Sequence, residues 1–246
     1  LVIRNVWTRL SRKQLLVLYP FAVGLINTLA FLAVYFAIEP DFDWTHFADS
    51  NFLRMEYLQE NVGLDSSPLV LLSAVGAGLL LVVLRSAIRA PFFRAIVGLG
   101  YPKAPAGWGE LARLSMLYLL IYVVVVVVPY SFPVDGAAFA WVSLVAFLIA
   151  ITFLYADYAL VFEQLGPVAA IRRSIDVLGK SLLPGLFIYF SALLAWWAMQ
   201  ALYQGYFEGG GEVFILLPLS FLLVDAVITM VVDAFLIFLY FDRARS

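Results

Sequence analysis

Four acidic side chains fall inside stretches that are otherwise apolar: Asp157, Glu163, Asp225 and Asp233. Carboxylates in such surroundings can pass protons or cations, tie helices together, or hold a cationic group. Asp225, Thr229 and Asp233 are four residues apart, which makes one polar stripe along a helix. Asp157 lies six residues before Glu163, roughly 9 Å along a helix. A charge at the centre of a bilayer costs about 2.5–3.5 kcal/mol, so these side chains are expected to face other helices and find partners there. Asn27, Thr28, Tyr118, Tyr122, Thr152, Tyr155, Ser191 and Gln200 are of suitable type. No Lys or Arg is expected near midspan to neutralise the acids. A proton or cation path through Asp157, Asp225 and Asp233 is one use of this set. Packing of helices through bonded acids is another, and a site for a lipid headgroup or partner is a third.

Other chemistry is thin. The chain has no cysteine, which removes thiolate chemistry and disulfides, and its one histidine, His46, sits in a polar stretch. There is no HExxH, no GxSxG and no carboxylate cluster in a loop. "LGKS" at Leu178–Ser181 has Ser174 where a phosphate-binding loop needs its first glycine. No catalytic residue, metal or cofactor is assigned, and a non-enzymatic protein is expected. The net charge of −2 gives no reason to expect nucleic acid.

The elements that position the acids are membrane helices. The chain is 64% hydrophobic and 13% charged, and its apolar residues come in long blocks. A block of about 20 apolar residues crosses the hydrocarbon core as a helix. Six such spans are read: Gln14–Ile38, Pro68–Ala87, Leu111–Val128, Ala137–Phe162, Leu182–Phe207 and Val213–Tyr240. The valine run Val123–Val128 favours strand in water, but lipid forbids an open strand edge, so helix is expected. The first block is too long for a signal peptide and lacks a small-residue cleavage site, so it is expected to remain as a span. The fold class is all-α, a single integral-membrane domain over residues 1–246. Every Lys and Arg except Arg54 falls at the N-terminus, between spans two and three, between spans four and five, or in the tail. Cationic loops stay in the cytoplasm, so both termini are expected on the cytoplasmic side of the plasma membrane.

Three segments alternate charge with apolar residues and are expected to lie flat on the inner leaflet: the N-terminal "LVIRNVWTRLSRK", "RAPFFRAIVGLG" from Arg89, and "PVAAIRRSIDVLGK" from Pro167. The last places Val168, Ile171, Ile175 and Leu178 on one face, with Arg172, Arg173, Asp176 and Lys180 elsewhere. Gly179 is its expected stop. Arg172, Arg173 and Lys180, with Glu163 beside them, are candidate contacts for anionic lipid or a partner. In the outer loop, "FLRMEYLQE" is read as a short surface helix, and "FEGGGEV" as a tight turn flanked by Tyr203, Tyr206 and Phe207. The chain is also read as a threefold repeat over 1–88, 89–163 and 164–246. "DYALVF" from Asp157 matches "DAFLIF" from Asp233 within it.

The stretch from Val161 to Lys180 carries Glu163, Gly166, Ala170, the pair Arg172 and Arg173, Ser174, and a Leu178-Gly179 stop. It resembles a signature of bacterial polytopic membrane proteins related to the membrane domain beside glycerophosphoryl diester phosphodiesterases. The resemblance implies a six-helix fold and no activity, because the chemistry of that family belongs to a separate barrel domain that does not fit here. The leading expectation is therefore a non-enzymatic membrane protein that organises lipid or a partner membrane complex. A small transporter or channel comes second, and a membrane-embedded enzyme third.

Overall fold

The computed structural model describes residues 14–38, 68–98, 107–128, 137–208 and 216–244. Regular structure among them is entirely helical. A 3-10 turn at Gln14–Val17 leads into α1 (Leu18–Ile38); α2 is Pro68–Val97 and α3 is Trp108–Tyr122. Then come α4 (Ala137–Thr152), α5 (Ala156–Phe162), α6 (Pro167–Glu208) and α7 (Leu216–Ala244). Six helical stretches are long and apolar enough to cross a membrane, starting at Gln14, Pro68, Trp108, Ala138, Pro167 and Leu219. The basic stretch before Gln14, His46, Arg54, the "FLRMEYLQE" segment and the Gly209–Gly211 turn lie outside the described residues.

Local chemistry explains where these helices bend. The valine run is helical, and Val123–Val127 form a widened π turn. Successive β-branched side chains crowd the preceding turn of an α-helix, and an extra residue in the turn relieves that. The fourth span is not one helix. It breaks at Phe153–Tyr155, where Phe153, Leu154 and Ala156 each donate to the carbonyl three residues back at 3.0, 3.1 and 2.9 Å. The Tyr155 N–H is taken by Ser174 Oγ at 3.0 Å. α6 departs from helical geometry at Ser181 (φ −130°, ψ 20°). Pro184 has no N–H for the Lys180 carbonyl, which releases the helix there. This kink falls between Gly179 and Leu182, where the amphipathic segment was expected to meet the span.

One expected surface segment differs from its reading. Residues from Arg89 do not form a separate inner-surface helix; α2 runs on through Pro91 to Val97. Ala90, Phe92, Phe93 and Ile96 are buried, so this stretch is core. The reason is that its cations find acids inside the protein: Arg89 meets Asp157 and Asp233, and Arg94 meets Glu110. In the first part of α6, the face packed on the protein is Ala170, Ser174, Val177 and Ser181. Of the expected apolar face, Leu178 is buried, while Val168 (66%) and Ile175 (48%) are exposed.

The chain forms two compact units. Among the described residues, one comprises Gln14 and those within 85–189 and 232–244. Its largest fully buried side chains include Tyr155, Tyr158, Tyr240, Phe92, Phe93 and Leu117. The three tyrosine rings pack in a triangle with centroids 6.1–6.4 Å apart. The other unit comprises the described residues within 15–84 and 190–231. Its core is Met199, Phe221 and Leu222, with Phe21, Trp196, Tyr203 and Ile228 against it, and a smaller cluster of Phe31 and Tyr35.

Candidate functional site

Three helices of the first unit each bring one charge to a common point: Arg89 from α2, Asp157 from α5 and Asp233 from α7. Ala90, Ala156 and Ala234 follow or precede these residues and are fully buried. Their small side chains let the helices approach closely enough for the charges to meet. The Arg89 guanidinium grips Asp233 with both terminal nitrogens, Nη1 to Oδ2 and Nη2 to Oδ1 at 3.0 Å. Nη2 also reaches Asp157 Oδ2 at 3.3 Å, and Nε donates to the Tyr118 hydroxyl at 3.4 Å.

Tyrosines complete the set. Tyr118 donates to Asp157 Oδ2 at 3.1 Å, and Tyr158 donates to Asp233 Oδ1 at 2.7 Å. The Tyr158 backbone N–H donates to Asp157 Oδ1 at 2.9 Å. Every carboxylate oxygen of both acids therefore has a donor, which is what a buried charge requires. The Phe93 ring lies under the Arg89 guanidinium at 4.5 Å, a cation–π contact, and Arg85 sits 5.1 Å over the Tyr118 ring.

A second polar group lies where α5 gives way to α6. Arg173 Nε donates to Glu163 Oε1 at 3.0 Å, and its Nη2 donates to the Ala244 carbonyl at 3.0 Å. The Tyr240 hydroxyl also donates to Glu163 Oε1. Arg113 holds the connecting loop through the carbonyls of Gln164 (2.7 Å) and Leu165 (3.4 Å). Gln164 has a φ of 55°, the left-handed value needed for this abrupt reversal. A third pair joins Arg94 to Glu110, both largely buried.

The sequence-read site residues are thus distributed. Asp157 and Asp233 come together. Asp225 and Thr229 sit on α7 two turns and one turn before Asp233, half-buried and in the other unit. The stripe is real along the helix, but Asp225 is not a member of the Arg89 cluster. Glu163 and Arg173 pair with each other, while Arg172 and Lys180 are exposed. The expectation that no Lys or Arg neutralises the acids is overturned by Arg89, which α2 carries beyond the expected end of its span at Ala87. Tyr118 was among the expected partners; Tyr158 and Tyr240 were not, although each lies one helical turn or less from an acid or its partner. Tyr155 bonds no acid. Its hydroxyl lies 3.1 Å from Ser181 Oγ, at the α6 kink.

A groove of about 360 Å³ runs between Val124, Val128 and the α4 side chains Trp141, Val142, Val145, Ala146 and Ile149. A gap of about 10 Å³ lies among Ala150, Ile151, Leu154, Leu186 and Tyr189. Both are apolar, and neither includes Arg89, Asp157 or Asp233. Among the described residues, no three His, Asp or Glu side chains converge as metal ligands would. The fold and site define an all-helical protein with six helices able to span a membrane and a closed ionic core. No family model, curated protein or solved structure matches the chain.

Proposed function

We propose that this is a non-enzymatic, multi-pass protein of the plasma membrane that organises anionic lipid or a partner membrane complex. Its charged core acts as a helix clamp, and its contact surface is the first part of α6. The observation that carries this reading is the saturation of the ionic core. Arg89, Tyr118, Tyr158 and the Tyr158 backbone N–H put a donor on every carboxylate oxygen of Asp157 and Asp233, so the acids are balanced from within the protein and need no passing cation. On the outside of α6, the exposed cations Arg172 and Lys180 stand beside the exposed apolar Val168 and Ile175. That pairing suits headgroup phosphates on one side and acyl chains on the other. The sorting of Lys and Arg supports placing this end of the bundle, and both termini, in the cytoplasm. The resemblance of Val161–Lys180 to a non-catalytic membrane domain is in keeping with this reading.

The test is lipid selectivity. Replacing both Arg172 and Lys180 by Ala is expected to weaken retention of phosphatidylglycerol about tenfold in detergent micelles, with phosphatidylcholine retention unchanged. Equal retention of both lipids by wild type and variant overturns the lipid contact. Proton or cation flux through liposomes that Asp157→Asn abolishes, in a folded variant, replaces the clamp by a transport path.

A further inference from the structure

The Glu163–Arg173 pair sits at the edge of the surface assigned above to anionic lipid, and it differs from the pairs that Arg89 and Arg94 make. The Arg89 and Arg94 pairs are largely buried, whereas Arg173 and Glu163 keep 28% and 33% of their side chains exposed. Arg173 is the immediate neighbour of the exposed Arg172. It is held in position independently of Glu163, because its Nη2 is fixed on the Ala244 carbonyl at 3.0 Å. The Glu163 carboxylate accepts from Arg173 Nε at 3.0 Å and from the Tyr240 hydroxyl, both through Oε1. A planar guanidinium meets a phosphate with the same donors that it uses for a carboxylate.

We propose that Glu163 is a built-in competitor, occupying on Arg173 the position that the phosphodiester of a membrane-lipid headgroup takes when lipid binds. Arg172 and Arg173 together are the phosphate site, and Glu163 sets its affinity. Energetics permit the exchange. A partly exposed ion pair contributes about 1 kcal/mol or less, within reach of a headgroup already drawn in by Arg172 and Lys180. The displaced Glu163 keeps the Tyr240 hydroxyl as a donor, so it is not left without a partner. Arg113 holds the loop backbone through Gln164 and Leu165, so the exchange needs only side-chain rotation. The lipid source follows from the apolar half of the same surface: Val168 and Ile175 offer nothing to a free phosphate ion and suit an acyl chain.

This inference rests on the lipid-contact reading of α6, and its test separates the two. Phosphatidylglycerol binding is titrated with the full chain in neutral-detergent micelles. Glu163→Gln removes the competing charge and is expected to tighten binding about fivefold, the change that follows from releasing a partly exposed ion pair. Adding Arg173→Gln to Glu163→Gln is expected to return affinity to the wild-type value or below. Glu163→Asp, which withdraws the carboxylate by one methylene but keeps charge and loop, is expected to fall between wild type and Glu163→Gln, and serves if the Gln variant loses its fold. Sodium phosphate at equal concentration is expected not to compete. Unchanged or weaker binding in folded Glu163→Gln overturns the competitor role, even where the Arg172→Ala, Lys180→Ala variant has lost its lipid. Displacement of the lipid by sodium phosphate overturns the assignment to a headgroup. If wild type and the Arg172→Ala, Lys180→Ala variant bind phosphatidylglycerol equally, the α6 reading itself fails, whatever Glu163→Gln does.

Discussion

The two units are built on different physics. All described Lys and Arg residues belong to the unit of residues 85–189 and 232–246, and most have an acid, a carbonyl or a ring as partner. The unit of 15–84 and 190–231 has no described cation, and its core is Met199, Phe221 and Leu222 with aromatic neighbours. Apolar contacts between membrane helices discriminate weakly, because lipid tails are as apolar as leucine. A guanidinium that must meet two carboxylates and a hydroxyl accepts one geometry. Among the described residues, pairing through cations is therefore confined to the first unit, while the second packs an apolar and aromatic core that carries the Tyr203–Ser220 contact.

The sharpest break of this contrast is Arg89→Ala. It strands Asp157 and Asp233 against each other and is expected to destabilise the protein by about 3–5 kcal/mol in thermal unfolding in detergent. Arg89→Met with Asp157→Asn and Asp233→Asn is expected to recover most of that loss. If Arg89→Ala unfolds with wild type, the clamp is not what holds the unit. A smaller effect is expected at the α6 kink. A Cβ at Gly185 would stand 2.6 Å from the Tyr155 hydroxyl oxygen, so Gly185→Ala should lower stability by about 2 kcal/mol. In a Tyr155→Phe background the penalty should shrink, a coupling that a double-mutant cycle reads directly. The smallest effect belongs to the apolar unit. Tyr203→Phe removes a 2.9 Å contact with Ser220 Oγ but keeps the ring edge-on to Phe221, and about 0.6 kcal/mol is expected. A loss at Tyr203 as large as at Arg89 would erase the difference between the units.

Hydropathy made the spans legible to within a few residues at most ends, because lipid leaves a helix few alternatives. Gln14–Ile38 and the start at Pro68 agree with the helices observed. The kink before Leu182 was legible in part: Gly179, the expected stop of the amphipathic segment, lies two residues before the break at Ser181. Arg89 was not legible as a core residue. In a charge count for topology an arginine marks a loop, and only its matching acids, far away in sequence, show otherwise. A hint was present in the uninterrupted Phe92, Phe93 and Ile96 after it, which a purely surface helix has no use for. The break at Phe153–Tyr155 left no trace, because Thr152 to Ala156 are as helix-compatible in composition as their neighbours. The match of "DYALVF" with "DAFLIF" carried more than its length suggested: the first residue of each is a ligand of the same guanidinium.

The single arginine shared by distant partners has a consequence for biogenesis. Arg89 and Asp233 are 144 residues apart, so at ordinary translation speeds the ribosome needs roughly 7–30 s between them. Through that interval the cation in α2 lacks its two-pronged partner; Asp157, 68 residues on, is made about halfway through it. The ionic core is therefore closed last, by the helix that leaves the ribosome last among those described.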